Sequence, residues 1–345
     1  MKSNKALRRD KPAICITMGD PAGVGPEIIA KFLSDPKVEE AADFIVVGDA
    51  FVFKKAIALA GAGFEFDIIN SAGTPDFKDC GILLLDLKNI NPKKFEYAKA
   101  TAECGKAAID YIREAHSLIQ KKAADAIVTA PINKYSAKMG GFKYQGHTEF
   151  LSFLSGAKTT AMMLTGGPLT VVLATTHIPI SLVSSALTKK KLVSIISLID
   201  AWMKDYFNVE FAKIGICALN PHAGEFGTMG TEEKDIIIPA VKHCAACGIN
   251  VSGPYPADSL FYQAYNGDFD VILSMYHDQG LIPLKMVARD EAVNITLGLG
   301  FVRTSPAHGT AFDIAGKNMA NPQSFACAVN FAISMVNNAQ KIKRK

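Results

Sequence analysis

The sequence lacks a hydrophobic segment long enough to cross a bilayer. Its 345 residues are 49% hydrophobic and 20% charged, and polar side chains interrupt every apolar run. The basic amino-terminal stretch leads into PAICITMGDPAG without an apolar signal core. We therefore expect a cytoplasmic protein with no membrane role.

Cysteine is sparse and follows no framework. The seven cysteines are scattered, which argues against a disulfide-stapled fold and indicates reduced thiols. Cys244 and Cys247 form one CxxC sequence after His243, but no second pair accompanies it. The surrounding stretch, TEEKDIIIPAVKHCAACGIN, favours an amphipathic helix that ends at Gly248 over redox or zinc chemistry.

An excess of charge of one sign is also missing. The net charge of +4 is too small to require a nucleic-acid partner. Part of the basic residues lie in the terminal stretches MKSNKALRRDK and KIKRK, which we interpret as solvated tails. Internal repeats and low-complexity linkers are absent from the sequence. The charge therefore gives no reason to expect a nucleic-acid partner, and without a linker no domain boundary is visible in the sequence.

Strand-like and helix-like segments alternate along the chain. AICITM, FIVVG and AIVTA are typical of buried strands, and GPEIIAKFLS and AFVFKKAIALA are typical of helices. Longer helices are predicted in TAECGKAAIDYIREAHSLIQKKA and NPQSFACAVNFAISMVNNAQKIK, and a β-rich region is predicted from VILSM to Thr296. This order predicts an α/β protein, and the length suffices for two interleaved domains with a cleft between them.

Three histidines follow strand-like runs. LTVVLATTH ends at His177, KIGICALNPH ends at His222, and DVILSMYHDQG contains His277. In open α/β sheets the residues just past the carboxyl ends of strands line the ligand crevice. Each histidine alone fits a half-buried polar residue, but the repetition predicts one shared metal site.

Three neutral imidazoles would leave a divalent ion with its full charge and an open coordination position. That arrangement is typical of catalytic sites and not of closed structural ones. The three ligands are far apart in the sequence, so only a folded scaffold could gather them. Asp278, beside His277, is either a carboxylate of this site or an ordinary turn aspartate.

Two loops have features of anion sites. In MGDPAGVGPEII, three glycines within residues 19–25 join a strand to a helix, so the backbone N–H groups face either a ligand or the protein itself. After Gly146, His147 and Thr148 open a predicted helix. Their side chains either reach a ligand at that helix start or cap the helix.

A third polar group lies in the apolar stretch LIPLKMVARDEAVNITLGLGFVRTSPAHGTAFDIAGK. Lys285, Asn294 and Arg303 are spaced along segments predicted to be β-rich. Lysine, arginine and an amide donor together suit a phosphate or carboxylate. Such residues are usually solvated surface groups, but the apolar surroundings favour a binding role.

Six segments together resemble the 4-hydroxythreonine-4-phosphate dehydrogenase family of vitamin B6 biosynthesis. They are GDPAGVGPE, TAPINK with GHTEFL, LNPHAGE, YHDQGLIPLK and RTSPAHGTAFDIAGK. The resemblance implies an isocitrate/isopropylmalate-dehydrogenase-like fold of two α/β domains with the active site in the cleft between them. Residues 1–140 with 296–345 would form the cofactor side, and residues 141–295 the metal and dimer side.

The resemblance also implies the site residues. One divalent metal per site, zinc, cobalt or magnesium, would be held by histidines drawn from both subunits of a homodimer, namely His177, His222 and His277. Substrate contacts carry over onto His147, Thr148, Lys285, Asn294 and Arg303. HGTAFDIAGKNMANP resembles the nicotinamide-cofactor loop of isopropylmalate dehydrogenases, which implies NAD or NADP at His308, Gly309, Ala311 and Asp313.

The implied activity is oxidation of 4-(phosphooxy)-L-threonine to 2-amino-3-oxo-4-(phosphooxy)butanoate, which decarboxylates to 3-amino-2-oxopropyl phosphate. His177, His222, His277, Lys285 and Asp278 are the implied catalytic set. The general base stays open among a metal-bound water, Asp278 and Lys285.

Two positions depart from the family pattern. Phe226 stands where a small residue is usual, and Gly300 stands where proline is expected. Both leave open a sister dehydrogenase acting on 4-phosphothreonate or 4-phosphoerythronate. A metal-dependent hydrolase and a non-catalytic anion-binding protein also stay open, although the cofactor loop favours a dehydrogenase.

Overall fold

The computed structural model describes residues 11–70, 75–77 and 80–342. The chain forms two compact units: residues up to Leu151 with His308–Asn337, and Ser152–Ala307 with the residues from Asn338 onward. The chain passes from the first unit to the second after Leu151 and returns after Ala307. The boundaries expected from the sequence, after residues 140 and 295, lie before these two positions. Most of both basic tails lies outside the described residues.

The first unit contains five parallel strands in the order β3-β4-β2-β1-β5. They are β1 Ala13–Thr17, β2 Asp43–Gly48, β3 Asp67–Ile69, β4 Ile82–Asp86 and β5 Ala126–Thr129. All but β3 are buried almost throughout. Burial on both faces explains why these strands are continuous apolar runs in the sequence.

Helices follow most of these strands. They are α1 Gly25–Leu33, α2 Val38–Ala41, α3 Ala50–Ala60, α4 Ala102–Gln120, α5 Lys134–Met139 and α6 His147–Ser155. Polar caps determine several of the starts. The Asp49 carboxylate accepts from two N–H groups at the start of α3, and the Thr101 hydroxyl accepts from Cys104 at the start of α4.

The second unit contains strands in the order β12-β11-β6-β7-β10-β8-β9. They are β6 Ala161–Gly166, β7 Leu169–Leu173, β8 Ile214–Cys217, β9 Val251–Tyr255, β10 Val271–Ser274, β11 Val293–Leu297 and β12 Val302–Pro306. Strands β7, β10, β8 and β9 are parallel, whereas the pairings among β12, β11, β6 and β7 are antiparallel. The alternation of strands and helices along the chain did not indicate these antiparallel pairings.

The helices of this unit are α7 Val183–Ala186, α8 Lys189–Asp205, α9 Ile238–Ala246, α10 Ala257–Tyr265 and α11 His277–Ala288. The β-rich prediction after VILSM is therefore wrong over α11, and Lys285 lies on a helix. Pro283 within α11 obscured the pattern, because Leu281, Leu284 and Ala288 are buried at helical spacing. The last helix, α12, spans Gln323–Ile342 as predicted.

The CxxC segment is helical, as predicted. A π-helical turn at Glu233–Ile237 leads into α9, and Gly248 adopts a left-handed conformation just beyond it. Cys244 is buried and Cys247 is exposed, and all seven cysteines are free thiols. Over the described residues, no helix is both long and apolar enough to cross a membrane.

Candidate active site

Three neighbouring parallel strands of the second unit lead into the predicted metal ligands. The strand order β7-β10-β8 brings their carboxyl ends to one edge of the sheet. Strand β7 ends at Leu173 before His177, β8 ends at Cys217 before His222, and β10 ends at Ser274 before His277. Each strand is shorter than its apolar run, so each histidine lies in a loop or opens a helix.

The imidazole rings of His177 and His277 form a pair. Their centroids are 5.7 Å apart with an interplanar angle of 45°. With Zn–N bonds of about 2.0–2.1 Å, two imidazoles on one ion have centroids roughly 5–6 Å apart, so this pair fits a metal. Among the described residues no three His, Cys, Asp or Glu side chains are grouped to hold a metal, so His222 does not complete the pair within one chain.

His222 lies on an unusual turn. Residues 222–226 all have positive φ values between 39° and 75°, a conformation that costs non-glycine residues about 1–2 kcal/mol each. The buried Glu233 carboxylate supports the turn by accepting from the backbone N–H groups of Leu219 and Asn220, both at 2.8 Å. Gly224 lies directly over this carboxylate, where a β-carbon would come within 2.6 Å of Glu233 Oε2.

Asp278 is placed to orient one ligand. Its Oδ1 lies 2.6 Å from Nδ1 of His277. A carboxylate can only accept, so Nδ1 carries the shared proton and the Nε2 lone pair is left for a metal. A carboxylate in this place would position His277 as a ligand, and the role of Asp278 toward a metal stays a prediction.

The three predicted anion-binding residues of the second unit occupy different environments. Lys285 is exposed on α11, and Asn294 and Arg303 lie on the paired strands β11 and β12. Arg303 is only 2% exposed, and its Nη1 donates to the Thr296 hydroxyl at 3.0 Å. The amide of Asn294 donates to the Ser305 hydroxyl at 3.3 Å. Because Arg303 is buried, it is not a solvated surface charge.

His147 and Thr148 open helix α6, as the sequence indicated, and both are half-buried. They belong to the first compact unit, whereas the histidine pair, Asn294 and Arg303 belong to the second. Their role toward an anion therefore stays a prediction.

The glycine loop after β1 is a structural turn. The backbone N–H of Asp20 donates to Pro131, that of Ala22 to the Asp20 carboxylate, and that of Val24 to Thr310. A β-carbon at Gly25 would overlap the carbonyl oxygen of Met18. The N–H groups thus bind protein oxygens, which favours the tight turn over the ligand-facing alternative.

This turn packs against the predicted cofactor loop. Besides the Val24 to Thr310 hydrogen bond of 3.1 Å, the backbone N–H of Ala320 donates to the buried Glu27 at 2.8 Å. The loop contains the predicted contacts His308, Gly309, Ala311 and Asp313, and Ala311 has a φ of 41°. The two glycine-containing segments thus form one structural element of the first unit.

Sequence reasoning missed three supporting residues of the histidine loops, namely Thr175, Glu233 and Gln279. Each accepts or donates hydrogen bonds to the backbone of these loops. Thr175 and Glu233 lie outside the six segments that resemble the family, whereas Gln279 lies within YHDQGLIPLK, two residues after His277, and its place in that motif could have singled it out.

Comparison with known proteins identifies the family. The family described as pyridoxal phosphate biosynthetic protein PdxA matches residues 40–332. The 4-hydroxythreonine-4-phosphate dehydrogenase of Desulforapulum autotrophicum is 40% identical over 97% of this chain and 99% of its own length. The D-threonate 4-phosphate dehydrogenase of Cupriavidus necator is 42% identical over 91% of this chain and 94% of its own length.

The fold agrees with this relationship. The crystal structure of the 4-hydroxythreonine-4-phosphate dehydrogenase from Klebsiella pneumoniae superimposes with a TM-score of 0.86 at 37% identity, over 95% of this chain and 99% of that one. The predicted α/β class is confirmed. Because the family match covers most of the chain and these relatives align with it almost end to end, the chain belongs to the PdxA family.

Proposed function

We propose that the protein is an NAD(P)-dependent, divalent-metal-dependent dehydrogenase of a phosphorylated four-carbon hydroxy acid, with 4-(phosphooxy)-L-threonine as substrate. The observation that carries the proposal is the His177–His277 ring pair at the ends of adjacent parallel strands. A nicotinamide bound at the loop of His308 and Gly309 would supply hydride acceptance from C3 of the alcohol, and a base would accept the hydroxyl proton. The resulting 2-amino-3-oxo-4-(phosphooxy)butanoate then loses carbon dioxide to give 3-amino-2-oxopropyl phosphate.

His177 and His277 of one chain and His222 of a second copy would hold the metal, zinc, cobalt or magnesium, in a homodimer. Apolar side chains beside two of these ligands support a covering partner: Ile180 is 75% exposed and Phe226 fully exposed. A bound divalent ion would supply Lewis acidity, lowering the pKa of the alcohol and polarising the ketone. Imidazole suits zinc or cobalt better than magnesium.

The remaining site residues would bind the substrate and the cofactor. Arg303, fixed by Thr296, presents a planar donor group suited to phosphate. His147, Thr148, Lys285 and Asn294 would share this anchoring, which fixes the reacting carbon near the nicotinamide. His308, Gly309, Ala311 and Asp313 would contact NAD or NADP. Since Asp278 already binds His277, Lys285 or a water molecule would take the proton.

The second candidate substrate is 4-phosphothreonate or 4-phosphoerythronate. The 42% identity to the Cupriavidus necator enzyme supports it, as does Phe226, which projects from the His222 turn. These acids carry a hydroxyl in place of the C2 amine. The preference for one substrate over the other would therefore depend on which side chains contact the amine or hydroxyl at C2.

The test is a rise in absorbance at 340 nm when the protein is mixed with a divalent metal, NAD or NADP, and each four-carbon phosphate in turn. A metal-dependent hydrolase or an anion-binding protein would give no rise with any substrate. Free thiols at all seven cysteines support the reducing cytoplasm as the compartment.

A further inference from the structure

One side-chain amide bridges two of the histidine loops. Gln279 Oε1 accepts from the backbone N–H of Met275 at 2.7 Å, and Gln279 Nε2 donates to the carbonyl oxygen of Ala218 at 2.7 Å. Met275 precedes His277, and Ala218 begins the segment that leads to His222. Both polar ends of the amide are thus used, each on a different loop.

The third loop is tied to the same peptide. The Thr175 hydroxyl donates to the carbonyl oxygen of Met275 at 2.7 Å, and Thr175 precedes His177. Thr175 and Met275 are both buried, so water does not compete for these groups. Met275 therefore connects the His177 loop through its carbonyl and the His222 loop through its N–H and Gln279.

These contacts begin where the sheet ends. The β10 ladder last pairs Ser274 with Leu173 of β7 and Leu273 with Ile216 of β8. One further backbone bond joins Ala174 to Ser274 at 2.8 Å. Beyond it, the side chains of Thr175 and Gln279 continue the connection between the three loops. Glu233 and the hydrogen bond from Ala218 N–H to Tyr255 also hold the His222 loop, but neither contact links it to the His277 loop.

We propose that Gln279 is a positioning residue that, with Thr175, fixes the His177 and His277 loops that would share one ion, together with the His222 loop that would serve the ion of the partner copy, and thereby sets metal affinity. The inference rests on the proposed metal site. Neither side chain needs to touch the ion. They act on the backbone at Ala218 and Met275, and the positions of this backbone determine where the following His222 and His277 lie.

The test compares two near-isosteric variants with a matched control. Gln279→Met removes both hydrogen bonds and keeps the length of the side chain, and Thr175→Val removes one bond at constant volume. Gln263→Met makes the same chemical change at a half-buried position on α10 of the same unit. Zn²⁺ affinity is measured by competition with a chromophoric chelator, and the thermal midpoint of each metal-free protein is recorded alongside.

Gln279→Met is expected to weaken Zn²⁺ binding on the order of 10-fold or more, and Thr175→Val by a smaller factor. Gln263→Met should bind as wild type does. The metal-free midpoints should fall by only a few degrees, roughly 2–4 °C per kcal/mol lost. If Gln279→Met does not fold, Thr175→Val alone decides.

Wild-type Zn²⁺ affinity in both variants would overturn the inference while leaving the metal site intact. An equal loss in Gln263→Met would likewise overturn it, because the effect would then be general destabilisation. A wild-type protein that binds no Zn²⁺ would instead remove the proposed function itself, so the two failures are distinguishable.

Discussion

Asp278 Oδ1 lies 2.6 Å from Nδ1 of His277, its neighbour in the sequence. The contact holds the proton on Nδ1 and leaves the Nε2 lone pair free for a metal, and the centroid of the His277 ring lies 5.7 Å from that of His177. Carboxylate partners of this kind fix the tautomer and orientation of metal-binding histidines. Asp278 is therefore expected to act on the metal through His277.

Replacing Asp278 with Asn should weaken metal affinity on the order of 10-fold and leave stability nearly unchanged, because Asp278 is exposed. Asp258→Asn is a matched control, since Asp258 is also an exposed second residue of a helix. Isothermal titration with Zn²⁺ measures both. Equal affinities in the two variants would contradict the positioning role.

Mixing experiments test the shared site. His177 and His277 pair within one chain, so we expect a His222→Ala protein mixed with a His277→Ala protein to regain activity. Each hybrid dimer would contain one complete site, with an intact pair from one chain and His222 from the other. Mixing His177→Ala with His277→Ala should restore nothing, because every pair would then be damaged. Recovery in that second mixture, after verified subunit exchange, would exclude this assignment.

Arg303→Lys should impair catalysis on the phosphorylated substrate. The planar fork becomes a point charge, and the expected loss is about 2–3 kcal/mol of transition-state stabilisation. This corresponds to a drop of roughly 30- to 150-fold in kcat/KM. The exposed Arg289→Lys serves as the control for the chemical change.

The same Arg303 variant is then assayed on the dephosphorylated substrate, where the penalty should nearly vanish. Because Arg303 is buried against Thr296, its thermal midpoint is measured as well. An equal loss on both substrates would mean that Arg303 supports the fold or the cofactor, and the phosphate role would be abandoned.

Asp20 should make stability depend on pH. Burial raises the pKa of its carboxyl, although the N–H of Ala22 opposes the shift. The folded chain thus binds this proton more tightly than the unfolded chain, whose aspartate pKa is about 3.9. The contribution is fully present below that value and is lost as pH rises through the raised folded pKa.

Asp20→Asn does not titrate, so its stability relative to wild type should improve between pH 3.5 and pH 7. Urea unfolding at both pH values measures the difference, with the exposed Asp35→Asn as control for general pH effects. The measured quantity is the difference in the free energy of unfolding between Asp20→Asn and wild type. If that difference is the same at both pH values, or favours wild type more at pH 7, the pKa of Asp20 is not raised in the folded chain.

Several features could be predicted from the sequence because they depend on neighbouring residues. Buried parallel strands are continuous apolar runs, and polar caps begin helices such as α3 and α4. The motif segments from GDPAGVGPE to RTSPAHGTAFDIAGK were together sufficient to identify the family. Helix α11 was missed because Pro283 hid a spacing that burial of Leu281 and Leu284 makes evident.

The sequence by itself determined the residue types of the site and the strands that precede them. Only the tertiary structure decided which residues meet. The strand order β7-β10-β8 pairs His177 with His277 across many intervening residues, and it brings Gln279 to Ala218. Such contacts depend on strand order and on the closing of long loops, and no local pattern of side chains encodes them.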